Sequence, residues 1–141
     1  MKSKEEVIKM EIEKPSVIIL SSPEDDIVYR EPDRLEHMYD LQKILQNRMI
    51  ATKYKDVPKQ TVTNTMFLAL VAETMELLEE TAWKPWKEQV LFTKPPCLKE
   101  LADVMHFFLA VMIQLNITPE ELFNEYIKKN EENHKRQNEG Y

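Results

Sequence analysis

The sequence predicts an all-α fold: a bundle of four to five helices preceded by an extended N-terminal arm. Three observations point there. The only glycine, Gly140, stands next to the end of the chain, whereas the tight hairpins of a many-stranded β fold depend on Gly or Asn at positive φ. Four stretches repeat apolar residues at helical spacing, with proline-bearing segments between them. The length, 141 residues, is that of one ordinary domain, which can bury a core without disulfides or a structural metal.

Residues 1–32 are charged, hold Pro15, Pro23 and Pro32, and contain one short β-branched run at residues 17–20. They read as an arm, and residues 33–141 as the domain. The first helix starts after Pro32, with Asp33 as N-cap and Glu36 three residues on. Leu35, Met38, Tyr39, Leu41, Leu45 and Met49 form its stripe to about residue 52, with Tyr39 and the methionines expected in the core. Residues 53–60, with Pro58, read as a loop. A second helix is expected over about 63–81, where Met66, Phe67, Leu70, Val71, Leu77 and Leu78 fall on one arc at 100° per residue. Residues 83–96, with three prolines, read as a connection. The third helix, about 98–115, is apolar around most of its circumference after Asp103 and should be the most buried. The fourth starts with Thr118 as N-cap, Pro119 at the first helical position and Glu121 closing a capping box. It runs to about residue 138 and turns very polar after Ile127.

A net charge of −6 argues against a generic nucleic-acid binder, which needs a basic face. Cys97 is alone and cannot form an intrachain disulfide, so a reducing cytoplasm is the simplest setting. The N-terminal MKSKEEVIKMEIEK lacks the apolar core of a signal peptide. The longest apolar stretch, 104–115, is interrupted by His106 and Gln114 and is too short to span a bilayer, so no membrane partner is expected.

Glu73 and Glu76, three apart, share one face of the second helix. They border its apolar arc, with small Ala69 and Ala72 nearby. Glu100 and Asp103 repeat the pattern on the third helix, where their stripe continues into Phe107 and Ala110. Either pair alone reads as a solvated face, because acids are abundant here. Two pairs on the two most apolar helices are less expected. Four carboxylates gathered in a bundle are costly without a cation, since like charge and desolvation both oppose ionisation. Mg²⁺ takes oxygen ligands and keeps waters, and a triphosphate can supply the remaining oxygens.

The order Glu-x-x-Glu, a gap, then Glu-x-x-Asp, here ETME at 73–76 and ELAD at 100–103, resembles the all-α nucleoside triphosphate pyrophosphatase superfamily of dimeric dUTPases, phage dCTPase-dUTPases and MazG-like enzymes. Two further segments are similar to the dimeric dUTPase branch: Trp83-Lys84-Pro85-Trp86-Lys87 between the pairs, and KKNEENHKRQNEGY at 128–141. Leu41-Gln42, with Gln46 one turn on, resembles that branch's base-recognition helix, although Gln46, with Asn47 beside it, stands where the branch has Asn. The resemblance covers about residues 35–141. It implies that Glu73, Glu76, Glu100 and Asp103 hold Mg²⁺, and that a nucleoside triphosphate is cut to the monophosphate and pyrophosphate. The substrate it implies is a pyrimidine deoxynucleotide, dUTP first and dCTP second. It also implies a homodimer or higher homo-oligomer, in the cytoplasm of a bacterial or phage-infected cell.

The matched residues make chemical sense. Lys129, Asn133 and Arg136 fall on one stripe of the fourth helix, where two cations flanking an amide can hold a polyphosphate; Lys84 and Tyr141 join them as phosphate contacts. Trp86 and Trp83 can pack on a flat base, and Gln42, Gln46 and Asn130 can meet base or sugar through amide groups. His106 projects away from the carboxylates and reads as a core or supporting histidine. A di-iron bundle is a competing reading, since Glu131-x-x-His134 and Asp103-x-x-His106 have the spacing, but the first lies in the polar end of its helix. A MazG-like pyrophosphatase for another nucleotide and a non-enzymatic helical interaction module, its acids only surface, are the others.

Overall fold

The computed structural model of the chain describes residues 33–88 and 92–140. The arm expected over residues 1–32 and the site residue Tyr141 lie outside them. Four helices follow one another: α1 (Arg34–Thr52), α2 (Lys59–Glu79), α3 (Lys94–Gln114) and α4 (Pro119–Asn138). No strand occurs among the described residues.

Two helix starts match the local chemistry read from sequence. At α1, Glu36 N donates to Asp33 Oδ1 at 2.9 Å, and Asp33 N donates to Glu36 Oε2 at 2.8 Å. At α4, Glu121 N donates to Thr118 Oγ1 and Thr118 N to Glu121 Oε2. Each box satisfies backbone donors that a helix start leaves open. The other two starts come earlier than the periodicity predicts. Pro58, at φ −55°, leads directly into Lys59 without a side-chain cap. Pro95 and Pro96 lie inside the first turn of α3, where a missing N–H costs no hydrogen bond. Proline therefore opens these helices rather than filling the connection.

The end of α3 is made without glycine. Asn116 takes φ 56°, its N–H donates to Ile113 O, and Ile117 N–H donates to Met112 O. This pair of bonds is a Schellman closure, and Asn tolerates the left-handed position that it requires. The axis then turns by 106° into α4.

The core lies between α2 and α3. Val62, Met66, Ala110 and Val111 are buried together, with Tyr54, Val57, Leu70 and Phe107 packed around them. Ala110 is fully buried within this cluster. As expected, α3 contributes the most buried residues. The arc predicted for α2 is divided: Met66 and Leu70 face α3, while Phe67 and Val71 stay exposed beside Leu68 and Met75. α1 leans on α3 and buries Gln42 and Gln46. Its Met38 and Leu45 remain about two-fifths exposed, so the expected core role of Met38 does not hold within one chain, where the glutamines take the inner face. α4 meets chiefly α1 and buries no residue.

Because Ala110 is fully buried in the cluster between α2 and α3, Ala110→Leu should overpack it and lower unfolding free energy by about 1–3 kcal/mol. Urea denaturation followed by far-UV circular dichroism measures this. An unchanged midpoint would show that the helices do not meet at that residue.

Candidate functional site

The packing that buries Val62 and Met66 against Ala110 and Val111 also runs α2 and α3 antiparallel, so the acidic turns meet at the other end of the same seam. Glu73, Glu76 and Glu100 each bring one carboxylate oxygen to within 4.8 Å of the others. Glu73 and Glu100 are partly buried and Glu76 is exposed. Asp103, one turn beyond Glu100, stands outside this trio, yet its charge acts on Glu73.

The electrostatics follow from that crowding. Desolvation, then the charges of Glu76, Asp103 and Glu100, push the Glu73 carboxyl above its usual range, and Lys99 partly offsets them. Lys99 Nζ lies 3.0 Å from Glu100 Oε1, and this contact raises the lysine's pKa. The lysine is mostly exposed, so the pair is weak and leaves the cluster short of positive charge. The donor set fits a hard divalent cation. Octahedral oxygens at 2.0–2.1 Å from Mg²⁺ stand roughly 3–4 Å apart, close to the spacing already present. Lys99 adjoins Glu100 in the sequence, but its effect on Glu73 emerges only in three dimensions.

Beyond the acids, a cleft of about 440 Å³ opens where α2 ends and α3 begins. Trp83, Lys84, Lys87 and Phe92 are among its lining residues. Glu79 organises it: Trp83 Nε1 donates to Glu79 Oε1 at 3.2 Å, and Lys84 Nζ reaches both Glu79 oxygens at 2.6 Å. Lys84 also lies 5.0 Å from the Trp83 ring centroid. Trp83 and Trp86 meet edge to face at 5.9 Å, and Trp86 is 72% exposed. Trp86, so open to water, does not anchor the core, and its exposed face is free to stack on a planar ring.

The remaining sequence-derived residues are distributed differently. Gln42 is buried, with its Oε1 2.8 Å from His106 Nδ1. Gln46 is 1% exposed, and neither amide atom has a hydrogen-bond partner among the described residues. Such a buried orphan costs about 1–3 kcal/mol. On α4, Lys129, Asn130, Asn133 and Arg136 are all exposed. Lys129 pairs with Glu132 at 2.8 Å. The main packing partner of this helix is α1, not the acid-bearing turns of α2 and α3.

Two kinds of comparison bear on this site. A family model described as dUTPase matches residues 34–121 and 108–141. The chain is 25% identical to a dCTP pyrophosphatase of Enterobacteria phage T4, over 82% of this chain and 87% of that one. It is 35% identical to a dCTP pyrophosphatase of Enterobacteria phage LZ5, over 42% of this chain and 41% of that one. No solved structure matches.

In the metal-free protein the raised Glu73 pKa has a definite sign. The folded state keeps that proton to higher pH than the unfolded chain, so Glu73 lowers stability as pH climbs from about 4.5 through the folded value. Glu73→Gln should therefore be more stable than the parent by a margin that grows across this window, and Mg²⁺ should shrink the margin. Denaturant titrations between pH 4 and pH 7, with and without Mg²⁺, read both effects; a margin independent of pH would contradict the crowding.

Proposed function

The chain belongs to the dUTPase family and is a nucleoside triphosphate pyrophosphatase, a hydrolase; from that premise we propose that it is a Mg²⁺-dependent enzyme cutting a pyrimidine deoxynucleoside triphosphate to the monophosphate and pyrophosphate. The observation that carries this reading is the convergence of Glu73, Glu76 and Glu100 at the seam of two apolar helices, with Asp103 one turn away. dUTP is the favoured substrate. The two phage relatives support dCTP as a second.

In this reading the four acids hold Mg²⁺, which offsets phosphate charge and polarises the phosphoryl oxygens. Glu73 orients a water and takes its proton as the water oxygen attacks the α-phosphorus. The bond from that phosphorus to the bridging oxygen breaks in line, and pyrophosphate leaves. Lys84 meets phosphate, exchanging its Glu79 contact for the substrate, while Trp83 and Trp86 pack on the base. Gln42, held by His106, and the orphaned Gln46 amide supply base contacts, which requires α1 to shift enough to admit the ring.

Lys129, Asn133 and Arg136, with Asn130 and the terminal Tyr141, complete phosphate and sugar binding from α4. Within one chain this helix packs chiefly on α1, and the reading places its basic stripe at the acids of a second copy. The exposed α2 face around Phe67 and Val71, and Phe123 and Tyr126 on α4, supply apolar surface for that assembly.

With Mg²⁺ and dUTP or dCTP, purified protein should release pyrophosphate, and Glu76→Ala should lower kcat at least about 100-fold while helicity is kept. An interaction module would be indifferent to that change. If α4 acts across the dimer, Glu76→Ala and Arg136→Ala chains, each inactive, should regain about a quarter of parental activity when unfolded and refolded together, because half the dimers then carry one intact site. No recovery would return α4 to its own subunit's site.

A further inference from the structure

A second cleft, of about 600 Å³, lies at the opposite end of the α2–α3 seam from the acids. Val62 on its wall and Glu73 stand three turns apart along α2, about 16 Å at 1.5 Å per residue. The cleft is bounded by α1, the turn after it, the start of α2 and the end of α3. Its size falls in the range of small-molecule sites, roughly 300–1,000 Å³.

Three features set its chemistry. Lys43, Lys55 and Lys59 line it, and none makes an ion pair among the described residues, although acids outnumber bases in the chain. The uncapped first turn of α2 begins at Lys59, so its open N–H groups and positive dipole end add to the same anion-favouring field. Gln114, also in the lining, is only 6% exposed. Its Oε1 accepts from Thr63 Oγ1 at 3.4 Å, and its Nε2 donor has no partner among the described residues. An amide so nearly buried, with an unspent donor at the wall of a cleft, is a recognition element awaiting an acceptor.

Two aromatic rings complete the site. Tyr54 is fixed by the turn in which it accepts from Val57 N–H, and Tyr39 lies across from it on α1. The charges of Asp40 and Glu121 reach Tyr39 and raise its hydroxyl pKa after burial does. An anionic group is therefore disfavoured at the Tyr39 side and favoured at the Lys55–Lys59 side. We infer that this cleft is a second nucleotide site, separate from the acid cluster, in which phosphate meets Lys55, Lys59 and the α2 N-terminus while the planar base lies toward Tyr39 and bonds the Gln114 amide.

Lysine acetylation of the full-length protein, quantified by mass spectrometry, tests this independently of catalysis. AMP and dUMP are the probes and inorganic pyrophosphate is the control. At ten times its Kd, a bound nucleotide should slow acetylation of Lys43, Lys55 and Lys59 about tenfold, leaving Lys128 and Lys135 unchanged. In a Lys55→Glu/Lys59→Glu variant, protection of Lys43 should disappear while turnover at saturating substrate stays at the parental value. Absence of protection by both nucleotides overturns the site. Equal protection by pyrophosphate overturns its nucleotide character, and protection of Lys43 surviving in the double variant overturns the placement.

Discussion

Along the seam where α2 meets α3, Ala110 is fully buried in one cluster with Val62, Met66 and Val111. Packing at that point sets the register of two helices about 30 Å long, and the register decides what faces what at their far ends. The same contact that excludes water from Met66 places Glu73 and Glu76 opposite Glu100. Hydrophobic packing at one end is therefore the source of electrostatic crowding at the other.

That crowding is a cost carried by the fold. Lys99 reduces it from the solvent side, but no buried cation accompanies the trio among the described residues. In a metal-binding reading the deficit is functional, since a site already neutralised by lysine or arginine has little affinity for a divalent ion. The aromatic cleft beyond Glu79 follows the same logic, with Lys84 held by a carboxylate that a phosphate can replace.

The polar residues inside the molecule mark where packing and recognition compete. Gln42, Gln46 and Gln114 occupy positions that apolar side chains would fill more stably, and the Gln46 amide has no partner among the described residues. The apolar residues that would have served, Met38 and Leu45 on α1 and Phe67 and Val71 on α2, are turned outward instead. An exchange of this kind is what a helical subunit needs if its interior meets ligand while its outer faces meet another copy.

The sequence by itself determined the four helices found among the described residues, the ends of α1 and the whole span of α4, because caps and boxes depend on residues within one turn of each other. It also marked both acidic pairs, since a three-residue spacing places side chains on one face of any helix. It misplaced the starts of α2 and α3, where Pro58, Pro95 and Pro96 read as loop although proline suits a first turn. Only the tertiary structure decided that Glu73, Glu76 and Glu100 converge with Asp103 set back, that α1 turns its glutamines inward, and that α4 leaves at 106° with its basic stripe exposed. Those outcomes depend on which faces pack across the chain and on how Asn116 ends α3, and helical periodicity carries no information about the distance between two helices.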